Sequence, residues 1–400
     1  MPQKQFYRSG RYGQSRNSYS NNRTQTNKRQ PKKAYIHPSK FVQSAKPVTD
    51  EVYTPMNHFE DFELVAPLKH NLTAMGFDEP SPIQDEAIPH GLAGKDIVGI
   101  ANTGTGKTAA FAVPVLQRLA TEPTSKAIIL APTRELAEQI EQQCREIGKG
   151  IGVDGALLIG GAAIGPQLRD LRYNPRIIIG TPGRIKDHLE RGSLSLADCN
   201  IVVLDEVDRM LDMGFVNDIT HILNRTSVMR QSFYFSATLD PRVRGIIEGF
   251  SIDPVYISVK SGETSDNIDQ NIVSVMGGES KIEKLHDILL QDGTTKTIVF
   301  DDTHRSVEKL SKELAARGFM ADSIHGGKNQ SQRQRVLKRF KNSEINVLVA
   351  TDVAARGLDV SDITHVINYS LPQSYDDYVH RIGRTGRAGK VGHALTFVEK

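Results

Sequence analysis

The sequence predicts an α/β protein of two tandem lobes, each a parallel sheet flanked by helices, with a disordered basic arm in front. Three observations carry this. From about Phe59, short apolar runs alternate with amphipathic stretches; after a polar interval the alternation restarts; and the first 49 residues hold eleven Lys or Arg and no Asp or Glu. Strand–helix alternation implies a parallel sheet covered on both faces. The expected divisions are 1–50 for the arm, 51–258 for the first lobe, 259–266 for a linker and 267–400 for the second lobe. A chain of 400 residues is long enough for two or three folded units of roughly 100–200 residues each.

The arm is rich in Ser, Asn, Gln and Gly and has no hydrophobic period. It cannot bury enough apolar surface to offset the entropy of ordering, so disorder is expected. Phe6, Tyr7, Tyr12, Tyr19 and Tyr35 stand among its cations. Rings that stack on bases and cations that meet phosphates suit single-stranded nucleic acid, although a solubilising tail has the same composition.

In the first lobe Ile97–Ile100, Ala127–Leu130, Ile177–Ile179, Ile201–Leu204 and Phe233–Phe235 read as buried strands. Arg134–Lys149 reads as a helix with Leu136, Ile140 and Ile147 on one face. Residues 259–266 are polar and read as the linker. The second lobe then gives strand Thr297–Phe300, helix Ser306–Arg317, strand Asp322–Ile324, helix Ser331–Phe340, and strands Asn346–Ala350, His365–Tyr369 and Ala394–Val398.

Composition excludes several classes. No apolar run approaches the roughly 18 residues a membrane span needs, and the first thirty residues lack the apolar core of a secretory signal. Cys144 and Cys199 have no Cys-x-x-Cys partner, so a zinc site fails on ligand count. Two reduced thiols in a cytoplasmic protein is the expectation. The net charge of +3 conceals an asymmetry: beyond residue 49, 39 Lys and Arg face 47 Asp and Glu, an acidic body with a basic arm.

Ala101-Asn102-Thr103-Gly104-Thr105-Gly106-Lys107-Thr108 follows a predicted strand and opens a predicted helix, the context of a phosphate-binding loop. Glycines let backbone N–H groups curl around phosphates, and the helix N-terminus favours anions. Lys107 reaches the outer phosphates and the Thr108 hydroxyl can hold Mg²⁺. Ala101 stands where the general pattern has Gly, and Pro114 predicts a bend in the following helix. Asp205-Glu206-Val207-Asp208 ends the apolar strand 201–204, and parallel strands deliver their C-terminal residues to the ligand crevice. Asp205 is then the metal ligand, and Glu206 positions and deprotonates the attacking water.

These residues resemble the DEAD-box family of ATP-dependent RNA helicases, within helicase superfamily 2, from Phe59 to the C-terminus. The resemblance implies RecA-like lobes, with ATP and Mg²⁺ as cofactors. Gly76-Phe77-Asp78-Glu79-Pro80-Ser81-Pro82-Ile83-Gln84 resembles its adenine-sensing motif, with Gln84 bonding the adenine edge, Phe77 packing on the ring and Phe59 as the isolated upstream aromatic. Pro132-Thr133-Arg134-Glu135-Leu136-Ala137, Gly160-Gly161 and Thr181-Pro182-Gly183-Arg184 look like RNA-backbone contacts of the first lobe. Ser236-Ala237-Thr238 resembles the element that couples the ATP site to strand opening through Asp208. In the second lobe Thr303-His304-Arg305, His325-Gly326-Gly327, Gln330-x-x-Arg333 and Thr351-Asp352 match RNA-side motifs, and Asp359 falls near the ribose. In His380-Arg381-Ile382-Gly383-Arg384-Thr385-Gly386-Arg387, Arg384 and Arg387 match the arginine fingers, whose type is worth about 10³–10⁵ in rate, and His380 falls at the interlobe coupling.

Two departures stand out. Val207 replaces the Ala of the family's tetrad, and with its three carboxylates kept, hydrolysis is expected to survive with a modest shift in lobe coupling. The chain stops at Lys400, directly after a predicted strand, where the family commonly continues; a minimal protein and a fragment both fit.

The resulting expectation is an RNA-dependent ATPase, working as a monomer, that unwinds short RNA duplexes locally as ATP and RNA draw the lobes shut. The alternative is an ATP-gated RNA clamp or annealing chaperone with little unwinding. A DNA-directed relative and a non-catalytic scaffold fit the motifs less well.

Overall fold

Seven short strands built from β-branched and aromatic runs pair in one sheet of the first lobe. They are β1 (Ile97–Ile100), β2 (Ala127–Leu130), β3 (Gly155–Leu158), β4 (Ile177–Gly180), β5 (Ile201–Leu204), β6 (Gln231–Ser236) and β7 (Val255–Ser258), in the order β3-β4-β2-β5-β6-β1-β7, all parallel. The second lobe has six, β8 (Ile268–Val275), β9 (Thr297–Phe300), β10 (Ala321–Ile324), β11 (Val347–Ala350), β12 (His365–Asn368) and β13 (Gly392–Glu399), in the order β10-β11-β9-β12-β13-β8, again all parallel. This computed structural model describes residues 36–45, 53–102, 104–259, 267–355, 360, 362–386 and 390–399. Residues Ile36–Lys400 form one compact unit.

The helices of the first lobe are α1 (Ala66–Ala74), α2 (Pro82–Leu92), α3 (Lys107–Thr121), α4 (Arg134–Ile147), α5 (Ile164–Arg172), α6 (Pro182–Glu190), α7 (Val207–Asp212), α8 (Val216–Leu223) and α9 (Pro241–Phe250). Those of the second are α10 (Lys281–Leu289), α11 (His304–Ala316), α12 (Gln330–Lys341), α13 (Asp352–Ala355) and α14 (Tyr375–Ile382). Both sheet faces are covered, which gives each lobe two apolar layers. In the first lobe α1–α4 close one layer, with Phe111, Ile129 and Phe235, and α6–α9 the other, with Ile128, Leu204 and Val207. The second lobe repeats this plan on either side of β9 and β11. α3 carries Pro114 in its interior as a single helix from Lys107 to Thr121.

One expectation needs correcting. Disorder was expected across residues 1–50, yet Ile36–Ala45 is folded against the second lobe. A 3₁₀ turn, Pro38–Phe41, sinks Phe41 to 1% exposure beside Ile268, Tyr378, Ile382 and Ala394. The physical reason is local: Ile36, Phe41 and Val42 supply apolar contacts that a stretch without a hydrophobic period does not advertise. Residues 1–35, with Phe6, Tyr7, Tyr12, Tyr19 and Tyr35, lie outside the described residues. Among the described residues no helix is long and apolar enough to cross a membrane.

Candidate nucleotide and RNA site

All parallel strands of a sheet present their C-terminal ends at one edge, so the segments after β1, β2, β4, β5 and β6 converge there. The phosphate loop leaves β1 and enters α3. Gly106 has φ +91°, and a Cβ there would collide with the Gln84 amide and crowd the Ser81 hydroxyl. A side chain at this position would displace the Gln84 amide from the loop. Ser81 Oγ donates to the Thr105 carbonyl at 2.8 Å and Gln84 Nε2 to the Gly106 carbonyl at 3.1 Å. Gln84 Oε1 accepts from Ser81 N at 2.9 Å. A primary amide has two N–H groups and two lone pairs, so one of each remains on Gln84. Phe77 is half-buried above this helix, but Phe59 is 4% exposed in the core and packs edge-on against Phe77, with ring centroids 5.3 Å apart. Phe59 therefore buttresses Phe77 from beneath.

Lys107 is buried, its Nζ donating to the Ala101 carbonyl at 2.9 Å. Thr105 Oγ1 donates to the Asn102 carbonyl at 2.8 Å, Gly104 turns with positive φ, and Thr108 sits half-buried in the first turn of α3. Thr103 lies outside the described residues.

The three carboxylates after β5 occupy different environments. Burial pushes Asp205 up to about 7 despite the attraction of Lys107, with Glu206 adding to the rise. Glu206 takes a left-handed backbone, φ 52° and ψ 56°, and its buried Oε2 has no hydrogen-bond partner. For a non-glycine residue that conformation stores about 1–2 kcal/mol. Asp208 is saturated: its Oδ2 accepts from the N–H of Ala237 at 3.0 Å, from the N–H of Thr238 at 3.0 Å and from Thr238 Oγ1 at 3.2 Å. Its own N–H donates to Ser236 Oγ at 3.4 Å. The segment after β6 is thus bolted to α7.

A buried carboxylate with a raised affinity for protons, beside an oxygen lacking a partner, is a site that a cation would complete. Asp205 and Thr108 offer hard oxygen ligands of the kind Mg²⁺ takes. Among the described residues no group of three or more His, Cys, Asp or Glu could hold a metal alone.

Between the lobes lies an open cleft of about 470 Å³, lined from the first lobe by Pro132, Thr133, Arg134, Glu135, Gly160, Thr181, Gly183 and Arg184, and from the second by Gly326, Arg333 and Val353. Thr133 caps α4 by accepting from Leu136 N at 3.2 Å. Gly161 has φ +72°, and any Cβ there would strike the Arg134 guanidinium, so the glycine pair is the bed on which Arg134 lies. Burial, then the neighbouring Arg333, lower the pKa of Arg134. Thr181 Oγ1 accepts from Gly160 N at 3.4 Å, Pro182 opens α6, and Arg184 donates to the Ala162 carbonyl at 3.3 Å. Asp187, Met213 and Phe215 complete the lining, so the wall mixes three arginines with two carboxylates, apolar side chains and backbone.

On the second lobe, Arg305 is exposed at the start of α11. His325 stacks on His304 with centroids 5.2 Å apart and has Nε2 3.2 Å from Glu308. Thr351 is buried with its Oγ1 unpartnered. Arg381 donates twice to the Asp352 carboxylate, at 2.6 and 2.8 Å. The Asp352 side chain stays 20% exposed beside that pair. Arg384 is 4% exposed and, with half-buried His380, lines a small interlobe cavity shared with Arg209 of the first lobe. Arg387 and Asp359 lie outside the described residues.

Four functional candidates escaped the sequence reading. Arg333 reaches Glu135 across the lobes at 2.7 Å, and Gln330 and Gln334 donate to Glu138 at 3.0 and 2.7 Å. Asp85 receives four hydrogen bonds from Tyr53, Met56 and Asn57. Arg381 is fully buried over Phe300. Glu135 and Arg381 stood inside quoted motifs without a role, and no sequence signal marks Glu138 or Asp85.

Comparison with known proteins follows this geometry. A family model described as DEAD/DEAH box helicase matches residues 81–246, and one described as Helicase conserved C-terminal domain matches residues 280–389. The DEAD-box ATP-dependent RNA helicase CshA of Bacillus licheniformis is 46% identical over 342 residues, covering 85% of this chain and 70% of that protein. CshA of Bacillus subtilis is 46% identical over 342 residues, covering 85% and 69%. The structure of S. cerevisiae Dbp5 bound to RNA and ADP BeF3 is similar with a TM-score of 0.75 at 30% identity, covering 86% of this chain and 89% of that one. A DEAD box protein from Methanococcus jannaschii is 38% identical but has a TM-score of 0.51, covering 86% and 93%.

Proposed function

The chain belongs to the DEAD-box family of ATP-dependent RNA helicases, and from that premise we propose how its residues divide the work. ATP sits on the first lobe, its adenine edge on the free N–H and lone pair of Gln84 and its face on Phe77, with Asp359 near the ribose. The phosphates lie on the loop 101–108, with Lys107 against the outer ones. Thr108 and Asp205 hold Mg²⁺, which when bound neutralises phosphate charge. Glu206 orients the attacking water and takes its proton as the γ-phosphoryl group is transferred, giving ADP and phosphate. Arg384 and Arg387 arrive from the second lobe and stabilise the charge that develops.

RNA lies along the cleft on Pro132, Thr133, Arg134, Gly160, Gly161, Thr181, Pro182, Gly183 and Arg184, and on Arg305, His325, Gly326, Arg333, Thr351 and Asp352. Contacts of this type grip phosphates without reading sequence, and the 2′-hydroxyl distinguishes RNA. Because each ligand touches both lobes, each favours the closed state, and that shared preference couples them. Closure bends one strand and short duplexes lose pairing locally. Asp208, Ser236, Thr238 and His380 transmit the state of the nucleotide to the RNA side. The enzyme works as a monomer in the cytoplasm, and the domain limits are 51–258 and 267–400.

The observation that carries this reading is the meeting of the lobes, with α12 against α4 and Arg384 sharing a cavity with Arg209. The test is an ATPase titration with single-stranded RNA, duplex RNA and DNA side by side, on the natural chain and on Glu206→Gln. The variant is expected to bind ATP and RNA and to lose turnover by about 10²-fold or more; equal stimulation by DNA, or turnover undiminished in the variant, overturns it.

A further inference from the structure

Arg384 stands in the turn 383–386, which leaves the C-terminal end of α14. Two sets of contacts fix that turn. One is polar and comes from the second lobe itself. Besides its two bonds to Asp352, Arg381 donates to Asn368 Oδ1 at 3.2 Å and to the Ser370 carbonyl at 2.7 Å. Thr385 Oγ1 donates to the Ile363 carbonyl at 2.6 Å. The other set is apolar and is supplied by residues 36–45, which precede the first lobe in sequence yet fold on the second. Phe41 is buried in one cluster with Ile268, Tyr378, Ile382 and Ala394, its ring centroid 4.7 Å from that of Tyr378. Tyr378 and Ile382 lie one helical turn apart on α14, and Ile268 opens β8. Gly386 packs so closely on Ile268 that a Cβ there would collide with its side chain. The turn bearing Arg384 therefore starts beside Ile382 and ends on Ile268, and both residues belong to the Phe41 cluster.

Backbone pairing keeps the segment in register. The Gln43 N–H donates to the Gln270 carbonyl at 3.0 Å and the Gln270 N–H to the Gln43 carbonyl at 2.7 Å, an antiparallel bridge on β8. β8 is the edge strand of its sheet, so the bridge covers part of an open edge. The buried Gln270 side chain then reaches α14, its Oε1 accepting from Tyr378 Oη at 2.9 Å. Lys40 lies over the Tyr375 ring, 5.2 Å from its centroid. Residues 36–45 thus meet α14 at Tyr375, Tyr378 and Ile382, along the length of the helix.

We propose that residues 36–45 are a working part of the second lobe and that Phe41 is a positioning residue, setting where Arg384 stands in the nucleotide site. Protein interiors are close-packed, and a void left by a large side chain is filled only in part by its neighbours. With Arg381 and Thr385 holding their polar partners, Ile382 and Ile268 are the side chains that settle into the space Phe41 leaves. Both movements carry the turn 383–386 with them. An arginine that completes a phosphoryl-transfer site acts through its placement, and a misplacement of about 1 Å costs up to about 10²-fold in rate. The phosphates rest on the loop 101–108 and RNA on the interlobe cleft, and Phe41 lines neither. Loss of its ring therefore lowers turnover and leaves the binding of both ligands nearly as it was.

This inference rests on the reading of Arg384 given above, and a double-variant cycle separates the two. RNA-stimulated ATPase is measured on the full chain at saturating ATP and single-stranded oligouridylate, with KM for ATP and half-saturating RNA determined alongside. The variants are Phe41→Ala, Phe41→Leu, Gln43→Pro and Arg384→Ala, with Phe41→Ala and Gln43→Pro each also combined with Arg384→Ala. Arg384→Ala alone is expected to lower the maximal rate by about 10²-fold or more. Phe41→Ala is expected to lower it about tenfold, with both half-saturation values within about twofold of wild type. Phe41→Leu, which refills most of the socket, recovers most of the rate. In the Arg384→Ala background Phe41→Ala is expected to change the rate by no more than about twofold, because the group it positions is gone. A merely structural role would instead cost the same factor in both backgrounds. Gln43→Pro removes the N–H given to Gln270 and leaves the ring in place; it is expected to reproduce the Phe41→Ala pattern and carries the test should Phe41→Ala fail to fold. The same cost with and without Arg384, or a maximal rate within about twofold of wild type in both Phe41→Ala and Gln43→Pro, overturns the positioning role and leaves the reading of Arg384 standing. A maximal rate undiminished in Arg384→Ala overturns both.

Discussion

Glu135→Ala probes the meeting of the lobes at one contact. Glu135 and Arg333 are side chains of 2% and 6% exposure, with an oxygen and a nitrogen 2.7 Å apart. The N–H is not aimed at the oxygen, and both Glu135 oxygens and Arg333 Nε lack hydrogen-bond partners. The contact is thus a Coulombic pair without the bonds that would offset its desolvation. At an effective dielectric near 20 the gross attraction is about 6 kcal/mol, against a desolvation cost of several kcal/mol per ion. The net value of the pair is therefore near zero, but removing one partner strands the other charge. Loss of a partner from a buried pair costs about 2–5 kcal/mol. With imperfect geometry and an open cleft alongside, the low end applies, about 2–3 kcal/mol, or about 30- to 150-fold in affinity.

The cost falls only on the state in which the lobes touch. Anisotropy of a labelled single-stranded RNA is expected to show the loss with a non-hydrolysable ATP analogue present, and little change without nucleotide. Glu135→Leu combined with Arg333→Met replaces the pair by apolar groups of similar volume and is expected to recover most of the deficit, apart from any phosphate contact of Arg333. Equal weakening with and without nucleotide, or a single variant within twofold of wild type, refutes the reasoning.

Asp85→Ala removes the acceptor of four hydrogen bonds and leaves the N–H groups of Met56 and Asn57 unsatisfied; a loss of about 2–4 kcal/mol in urea unfolding is expected, together with a raised KM for ATP. His365, held down to about 4 by burial and then by the stacked His393, binds more protons unfolded than folded between about pH 4 and its ordinary value near 6.5. Its contribution to stability is present above pH 6.5 and is lost as pH falls toward 4, so melting temperatures of His365→Phe should show a shallower acid slope than wild type, and identical slopes would refute the assignment.

The strands that sequence reveals are those buried on both faces: β2, β4, β5 and β6 read as unbroken apolar runs. The three that escaped, β3, β7 and β8, are all sheet edges. Edge strands face water on one flank, so Asp269, Gln270 and Asn271 on β8 carry no apolar signal, and pairing with β13 alone defines the strand. The site was legible wherever one local segment performs the task, as in the phosphate loop or the Asp205–Asp208 turn. It was illegible wherever the partner comes from elsewhere. Glu135 and Glu138 look like ordinary helix carboxylates until α12 is laid across them, and nothing local announces that Arg381 folds back on Asp352. Phe41 gave no signal because a single apolar residue needs a socket, and the socket is assembled from β8, β13 and α14.

The run Asp205-Glu206-Val207-Asp208 shows how environment rather than residue type divides labour. All three carboxylates are buried; Asp205 accepts one N–H, from Glu206, whereas Asp208 accepts from Arg209, Ala237 and Thr238, and that makes it a structural bolt. Asp205 is driven toward neutrality by desolvation, with Lys107 the counterweight; a cation would restore its charge at once. Glu206 keeps an unpartnered oxygen on a strained backbone, which is the condition expected of a base whose partner is the substrate water. Val207 faces the opposite way, fully buried among Leu204, Met210 and Val243. The one departure from the family's tetrad therefore lies in the apolar packing beneath the site, apart from the three carboxylates.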